Sequence, residues 1–355
     1  MSAAPGSITR HEIFQQPSAW LMTLARVTSS GLAGRYDADA PVITGAGSSA
    51  YSSYAIAAAW PGARDIATTD LLLSEPSALP PALDDGGLLI SIARSGDSPE
   101  SVGVVELLRR VRPHVRHVAI TCNATGRLAR TDGVTALLLD QATYDLSLAA
   151  TNSFSNLTLA GLLLRHRPLL ADALPAIAGH VRTMLPALDA AAQGIAATRV
   201  SRVTVVAPPA LFGAAREACL KVLEMTDGQV VAMPETLLGL RHGPLTFLRE
   251  DGLVLCFLST DPHVRRYEHD LLKELRAKKL GRLVGIAPDL TSGLLDYAIP
   301  ANAPGLPDAL RTPFEIVFAQ LLAYHLSLGL GLNPDVASPR RVINRVVEGV
   351  RIYDA

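Results

Sequence analysis

The feature that most constrains the fold is a short apolar run that ends in a polar loop and passes at once into a helical pattern. Residues 86–93 (GGLLISIA) are typical of a buried parallel strand, and residues 94–98 (RSGDS) follow as the loop. Ser98 is expected to cap the next helix, with Pro99 at its first position, where a missing N–H has no cost. Strand, loop and helix in this order predict an α/β fold.

The same loop brings hydroxyl and backbone N–H groups to the start of a helix. The helix dipole favours a negative charge at that end, so Ser95 and Ser98 are candidate ligands of a phosphate. The alternative is an ordinary capped turn that is polar but binds nothing. Residues 91–100 alone leave both interpretations open.

A second segment with the same plan lies earlier in the chain. Residues 41–50 (PVITGAGSSA) predict a strand and a glycine-containing loop, and residues 51–60 predict a helix. Gly45-x-Gly47 lacks the third glycine of the dinucleotide fingerprint, so we expect no dinucleotide site. Ser48 and Ser49 instead offer hydroxyls beside a helix N-terminus. Two such loops on adjacent strands of a doubly wound sheet would converge on one phosphate.

From Val200 the pattern of strands and helices starts again, which predicts an internal duplication. In the second copy the loop that corresponds to residues 45–49 begins Ala207-Pro208-Pro209, and two prolines remove two N–H donors. This loop is therefore not expected to cradle a phosphate. The predicted division is an N-terminal helical segment (1–40), a first, phosphate-binding domain (41–165), a helical bridge (166–199), a second domain with the catalytic residues (200–335) and a C-terminal tail (336–355).

The second copy carries the residues best suited to acid–base chemistry. Glu217, Lys221 and Glu224 share one helix face by their spacing. For Glu217 and Lys221, a solvent-exposed salt bridge is the favoured interpretation. Glu224 has mostly apolar neighbours, which would raise its pKa and suit it to act as a base. His242 precedes Gly243-Pro244 in a predicted turn, where a catalyst and a rigid structural residue are equally plausible.

Composition and terminal patterns narrow the class of protein. The chain has 355 residues with 32 Lys+Arg and 33 Asp+Glu, which argues against a broad nucleic-acid-binding surface. Its three cysteines form no CxxC pair and predict buried thiols, and its histidines show no metal-ligand spacing. The first residues lack a secretory pattern, and the apolar region 314–332 is interrupted by Glu315. We expect a cytoplasmic, soluble protein with no metal, no cofactor and no membrane or nucleic-acid partner.

Two features near the N-terminus predict where the first helix starts and bends. Thr9 and Glu12 fit a capping box, which predicts that the first helix starts there. Pro17 lies inside this helical pattern and predicts a bend.

Several of these motifs, taken in order, resemble the sugar isomerase (SIS) superfamily. They are residues 45–49, residues 95–98, the hydroxyl run at Thr151, Lys221-x-x-Glu224 and residues 241–244. More narrowly, residues 12–20, 90–101, 120–123 and 342–350 resemble the AgaS-like galactosamine-6-phosphate deaminase/isomerase group. The resemblance covers nearly the whole chain. It implies two tandem SIS domains, each a doubly wound, mostly parallel sheet flanked by helices.

The resemblance also implies roles for individual residues. Glu224 would move the proton between C1 and C2, His242 would open the sugar ring from the neighbouring subunit, and Lys221 would be the active-site lysine. The implied substrate-binding residues are Gly47, Ser48, Ser49, Arg94, Ser95, Gly96, Ser98, Thr151, Ser153, Glu235 and Glu348. Two departures stand out: Glu348 replaces a lysine of the related glucosamine-6-phosphate synthase, and residues 207–209 replace a Gly-Ser-Gly loop.

The function implied is conversion of an aldosamine 6-phosphate, galactosamine 6-phosphate being favoured, to a ketose 6-phosphate and ammonia. One alternative is an aldose–ketose isomerase without deamination. Another is a sugar-phosphate-sensing module, which would need the serine loops but not Lys221, Glu224 and His242 together. No glutaminase segment precedes the SIS pair, so the synthase reaction is not expected. A shared site implies a homodimer or a larger homo-oligomer.

Overall fold

The computed structural model describes residues 4–84, 86–289, 293–336, 338–340, 342–345, 347 and 349–353. It divides into two compact units. The first-sheet unit comprises Gln15–Asp145, Asn152–Ala178 and Val342–Ala355. The second-sheet unit comprises Met1–Phe14, Leu146–Thr151 and Gly179–Arg341.

Each unit contains one five-stranded sheet. The strands of the first are β1 (Val42–Thr44), β2 (Arg64–Asp65), β3 (Leu88–Ala93), β4 (Arg116–Thr121) and β5 (Val134–Leu138). Those of the second are β6 (Arg202–Ala207), β7 (Val231–Thr236), β8 (Leu253–Phe257), β9 (Arg282–Ala287) and β10 (Tyr297–Pro300).

Helices connect and cover these strands. They are α1 (Ser7–Ser30), α2 (Ser48–Ala58), α3 (Thr68–Leu73), α4 (Pro99–Val111), α5 (Arg127–Arg130), α6 (Asn152–Ala196), α7 (Phe212–Met225), α8 (Pro262–Ala277) and α9 (Thr312–Gly329). Within the described part of the chain, no helix is long and apolar enough to cross a bilayer.

The two sheets share one topology. The first has the order β2-β1-β3-β4-β5, and the second, taken from its β7 edge, has the order β7-β6-β8-β9-β10. Every strand pairing within them is parallel. Strand for strand, the second half therefore repeats the first. The predicted duplication and the predicted pair of doubly wound α/β domains are confirmed.

This order creates a switch point in each sheet. β1 lies between β2 and β3, and β6 lies between β7 and β8, so the chain leaves the middle strand in one direction and later returns on its other side. The loops after the two adjacent strands open a crevice at their carboxyl ends, which is where open α/β sheets bind ligands. We call these crevices the first and the second switch point.

Sequence patterns found the central strands and missed most edge strands. All residues of β3 and β8 are buried, as expected for strands covered by helices on both faces. The strands that the sequence did not indicate are β2, β7 and β10, and each lies at a sheet edge. β7 contains Pro234, which an edge strand tolerates because one side of it needs no N–H donor.

The predicted N-terminal capping box is wrong. α1 begins at Ser7, ahead of Thr9, and continues through Pro17. Thr9 donates from its backbone N (2.7 Å) and its hydroxyl (2.9 Å) to the carboxylate of Asp335. Glu12 is buried and accepts a hydrogen bond from the backbone N of Ser147 (3.0 Å). Long-range partners have thus replaced the local ones that the motif suggested.

The start of α6 is fixed by a carboxylate that precedes the helix. The helix begins at Asn152. Asp145 accepts hydrogen bonds from the backbone N of Asn152 and of Ser153, both at 2.9 Å, and so caps the helix from the loop before it. α6 runs for 45 residues with one non-helical residue at His166.

A buried histidine in the first sheet makes stability depend on pH. Burial and the nearby Arg109 guanidinium lower the pKa of His117 from 6.5 to about 4. The unfolded chain therefore takes up a proton below pH 6.5, whereas the folded chain does so only near pH 4, and stability falls as the pH drops through this range. We expect wild type to lose about 2 kcal/mol more unfolding free energy than His117→Gln between pH 7.5 and 5.

Urea unfolding at both pH values measures this difference. His114→Gln is the matched control, because His114 is an exposed histidine three residues away. It should lose as much stability as wild type. If His117→Gln and His114→Gln respond alike to pH, His117 does not titrate as described.

Candidate active site

The loop at the end of β1 depends on two glycines. A Cβ at Gly45 would lie 2.5 Å from the carbonyl carbon of Ser49, and Gly47 has a φ of +58° and serves as the N-cap of α2. Both positions therefore require glycine. The tight turn places Ser48 and Ser49 in the first turn of α2, half-buried, next to the first switch point.

The loop after β3 leaves the sheet from the neighbouring strand. Ser98 is the N-cap of α4, as predicted: its hydroxyl accepts a hydrogen bond from the backbone N of Ser101 (3.3 Å), and Pro99 follows. Gly96 has a φ of +68°, which turns the chain between Ser95 and Ser98. β1 and β3 are adjacent parallel strands in which Thr44 pairs with Ser91. This loop and the Gly45–Ser49 loop therefore both lie at the carboxyl ends of the strands.

Residues that follow β4 form hydrogen bonds with this loop. Asn123 donates from Nδ2 to the carbonyl of Ser95 (2.9 Å), and Arg127 donates from its backbone N to the Asp97 carboxylate (2.9 Å). A Cβ at Gly126 would lie 2.3 Å from the Ser95 carbonyl oxygen, so the two segments are in close contact. Asn123 and Asp97 were not among the predicted site residues. They hold the conformation of the loop that carries Ser95.

Arg94 lies in the same loop and contacts the C-terminal segment. Its Nη2 donates to the carbonyl of Arg345 (2.7 Å). The guanidinium carbons of Arg94 and Arg345 lie 5.9 Å and 5.5 Å from the centre of the Tyr144 ring. The segment around residue 345 thus packs beside the first switch point. Glu348, which the sequence also indicated, lies outside the described residues.

The third predicted group of hydroxyls lies in a buried, hydrogen-bonded segment. Ser153 is fully buried, and its hydroxyl donates to the Asp145 carboxylate. Thr151 is also fully buried, and its carbonyl accepts a hydrogen bond from Nε2 of Gln320 (3.0 Å). A role of either residue in phosphate binding stays a prediction.

The helix α7 carries an ion cluster. The Lys221 ammonium contacts the Glu217 carboxylate at 3.3 Å and donates a hydrogen bond to the Glu224 carboxylate. The Lys221 and Glu217 side chains are 0% exposed, so the predicted solvent-exposed salt bridge between them is wrong. The helix α7 packs against α9 and against the strands β6 and β7. Glu224 is 22% exposed and salt-bridged, rather than enclosed by apolar groups as predicted.

Charge compensation keeps this lysine ionised. Burial alone would lower the pKa of Lys221, but the adjacent carboxylates of Glu217 and Glu224 outweigh burial and raise it. The lysine is therefore a fixed cation that orients the Glu224 carboxylate. The sequence indicated Lys221 and Glu224 as site residues but not Glu217. Glu217 precedes Lys221 by four residues, so it would have been added to the site if this helix face had been recognised as buried.

Glu235 and His242 lie close together along the chain beyond β7. Glu235, near the end of β7, accepts a hydrogen bond from the backbone N of Thr236 (2.6 Å). A Cβ at Gly239 would lie 2.6 Å from the Glu235 Oε1 atom, so the carboxylate packs on the turn that leads to His242. His242 is exposed, and the neighbouring Arg241 is fixed by an ion pair to Glu274 (2.7 Å).

The described residues contain no group of three or more His, Cys, Asp or Glu side chains arranged to hold a metal ion. The three cysteines are free and buried, as predicted. Burial raises the pKa of Cys122 and of Cys256 to about 12, so neither thiol is ionised near neutral pH.

Comparison with known proteins identifies the family. No family model matches the chain. The AgaS protein of Streptomyces coelicolor is 35% identical to it, over 99% of both chains. The D-galactosamine-6-phosphate deaminase AgaS of Escherichia coli is 33% identical, over 99% of this chain and 97% of the relative. The chain belongs to the AgaS family.

A solved structure supports the same assignment for this AgaS-family protein. The tagatose-6-phosphate ketose/aldose isomerase of Escherichia coli superposes with a TM-score of 0.86 at 30% identity, covering 100% of this chain and 99% of that one. The tandem SIS architecture that the motifs implied is thereby confirmed. The relatives carry two functional names, one for a deaminase and one for an isomerase.

Proposed function

We propose that this AgaS-family protein is an amino-sugar-phosphate deaminase/isomerase that converts galactosamine 6-phosphate and water to a ketose 6-phosphate and ammonia. The observation that carries the proposal is the similarity, along 99% of the chain, to a protein named D-galactosamine-6-phosphate deaminase. The ion cluster on α7 supports it, because the fixed Lys221 ammonium positions a carboxylate, Glu224, that can act as a general base.

The phosphate is assigned to the first switch point. Ser48, Ser49, Ser95 and Ser98 supply hydroxyls there, and Gly47 and Gly96 let the backbone approach an anion. Arg94 adds a positive charge beside the same loop. Binding energy from the phosphate, which does not react, holds the open sugar chain in place for the chemical step.

The chemistry is assigned to Glu224. After His242 assists ring opening, the Glu224 carboxylate removes the proton from C2 and the C1 carbonyl becomes an enol. Return of a proton to C1 moves the double bond to C2 and nitrogen, which gives an imine. Water adds to that carbon, ammonia leaves, and the ketone remains. Lys221 keeps the carboxylate oriented, and Glu235 holds the turn that presents His242.

A second candidate function is aldose–ketose isomerisation without loss of nitrogen. It is favoured by the name of the Escherichia coli structure, a tagatose-6-phosphate ketose/aldose isomerase. The same base would move a proton between C2 and C1 of a substrate with a hydroxyl at C2, so no residue of the proposed site separates the two reactions.

A panel of sugar phosphates separates them. Galactosamine, glucosamine, N-acetylgalactosamine and galactose 6-phosphates are each incubated with the purified protein, and ammonia and ketose are measured together. We expect equal amounts of both products from galactosamine 6-phosphate. Ketose from galactose 6-phosphate alone would support the isomerase, and no product from any of the four would contradict both functions.

We also propose a cytoplasmic homodimer, or a larger homo-oligomer, with a shared site. The exposure of His242, next to the Arg241–Glu274 ion pair, supports this proposal. If His242 serves a neighbouring subunit, mixing inactive Glu224→Gln and His242→Asn proteins should produce activity that neither shows alone. Mixtures that stay inactive after subunit exchange would argue for a site within one chain.

A further inference from the structure

The second switch point contains a cluster of hydrogen-bond donors around a carboxylate. The loop after β8, residues 258–261, leads into α8 through the N-cap Asp261 and Pro262. The loop after β3 leads into α4 in the same way, through Ser98 and Pro99. Ser259 and Thr260 thus occupy the part of the second sheet where Ser95 and Gly96 lie in the first.

These donors converge on the Asp308 side chain. Thr260 donates to it from its backbone N and from its hydroxyl, each at 2.9 Å, and Ser259 donates from its hydroxyl. Nη1 of Arg311 adds a fourth donor at 2.9 Å. Two hydroxyls, one backbone N–H and one guanidinium are the groups that proteins use to bind phosphate and carboxylate ions.

The cluster is enclosed, and its cation is well fixed. Arg311 and Ser259 are fully buried, and Asp308 is 11% exposed. Nε of Arg311 donates to Glu315 (3.1 Å), while its Nη2 atom, also buried, has no hydrogen-bond partner among the described residues. Burial raises the pKa of Asp308, but the donors from Ser259, Thr260 and Arg311 outweigh it and leave the pKa below its usual value. The carboxylate is therefore an anion at neutral pH.

The hydroxyls of the corresponding loop at the first switch point have different partners. Across the described ranges, no carboxylate is hydrogen-bonded to the hydroxyl of Ser95 or of Ser98, which accept from Asp97 N (3.3 Å) and Ser101 N (3.3 Å). Beside Asp308 the second switch point has a cleft of about 690 Å³, and Pro208 and Pro209 on its β6 side have no N–H to offer. Among the described residues, the two halves thus differ in whether a carboxylate accepts hydrogen bonds from the hydroxyls of this loop.

We propose that the second switch point is an anion-binding site whose permanent ligand is the chain's own Asp308 carboxylate. Because this position is filled, a sugar phosphate does not bind there, and each chain holds one phosphate, at the first switch point. The expected number of bound phosphates, one per chain, rests on the proposed function. The occupation of the second switch point by the Asp308 carboxylate does not depend on that function.

Chemical rescue tests the occupancy. Asp308→Ala removes the carboxylate and leaves the four donors, and sodium formate or inorganic phosphate is added in its place, with sodium chloride of equal ionic strength as reference. We expect the melting temperature of Asp308→Ala to rise by at least about 3 °C more than that of wild type in formate or phosphate. An equal response of the two proteins would overturn the proposal.

Asp335→Ala is the matched control. Asp335 also accepts hydrogen bonds from a threonine hydroxyl and two backbone N–H groups, but no arginine of the described residues pairs with it, and it lies outside both switch points. It should respond to formate as wild type does, and a rescue equal to that of Asp308→Ala would contradict a specific site. If Asp308→Ala does not fold in chloride, its soluble yield on refolding is compared instead, and a yield no higher in formate than in chloride would overturn the proposal.

The number of phosphate sites is tested separately. Titration calorimetry of galactosamine 6-phosphate into Glu224→Gln should give one site per chain, and two sites would contradict the exclusion. The rescue experiment uses no sugar. A failed deaminase assay would therefore leave its result standing, and a failed rescue would leave the assigned reaction untouched.

Discussion

Glu224→Gln is expected to lower kcat for galactosamine 6-phosphate by about 10²–10⁴-fold, the range over which a positioned acid–base group contributes. The amide has the shape of the carboxylate and its oxygen can still accept the hydrogen bond from Lys221. It cannot take a proton from C2. Affinity for the substrate, measured by calorimetry, should change little, because the phosphate is assigned to the loops after β1 and β3.

Glu250→Gln provides the control, since Glu250 is an exposed glutamate of the second half outside the proposed site. It should keep wild-type activity. If Glu224→Gln instead lost substrate binding and turnover to the same degree, Glu224 would be a binding residue and the assignment of the base would be wrong.

The second large effect is expected from Lys221→Met. Removing the cation leaves Glu217 buried without its ammonium partner, and breaking a buried ion pair in this way costs about 3–5 kcal/mol of unfolding free energy. The double variant Glu217→Gln/Lys221→Met should regain at least half of that loss, because no isolated charge stays buried. It should not regain activity, since Glu224 has still lost the group that orients it.

Lys273→Met is the matched control for this series. Lys273 is an exposed lysine on α8, and its replacement should change stability by less than about 0.5 kcal/mol. Urea unfolding and the ammonia assay are run on wild type, Lys221→Met, the double variant and Lys273→Met. Equal instability of the single and double variants would show that Lys221 contributes through packing rather than through charge.

Local patterns were sufficient for the central part of each sheet. Strands such as β3 and β8 are covered on both faces, so their sequences are continuous apolar runs that need no other information. The loops that follow contain caps whose chemistry is also local, as Ser98 and Pro99 show. Edge strands such as β7 are half exposed and were missed, because their sequences carry no such run.

Long-range contacts account for what the sequence did not reveal. Whether the Glu217–Lys221 pair is exposed or buried depends on the elements that pack against α7, among them α9, which lies far along the chain. The N-terminal capping box was replaced by a carboxylate from Asp335. Asp308 gave no local signal, because three of its four donors come from a loop about fifty residues earlier in the sequence.

We infer that a carboxylate of the second half moves a proton between C2 and C1 of an amino-sugar phosphate. The most direct measurement is NMR of the reaction of galactosamine 6-phosphate in deuterium oxide. We predict that wild type releases ammonia and forms a ketose 6-phosphate labelled with deuterium at C1, and that Glu224→Gln does neither. Labelled ketose formed by Glu224→Gln at the wild-type rate would contradict the account.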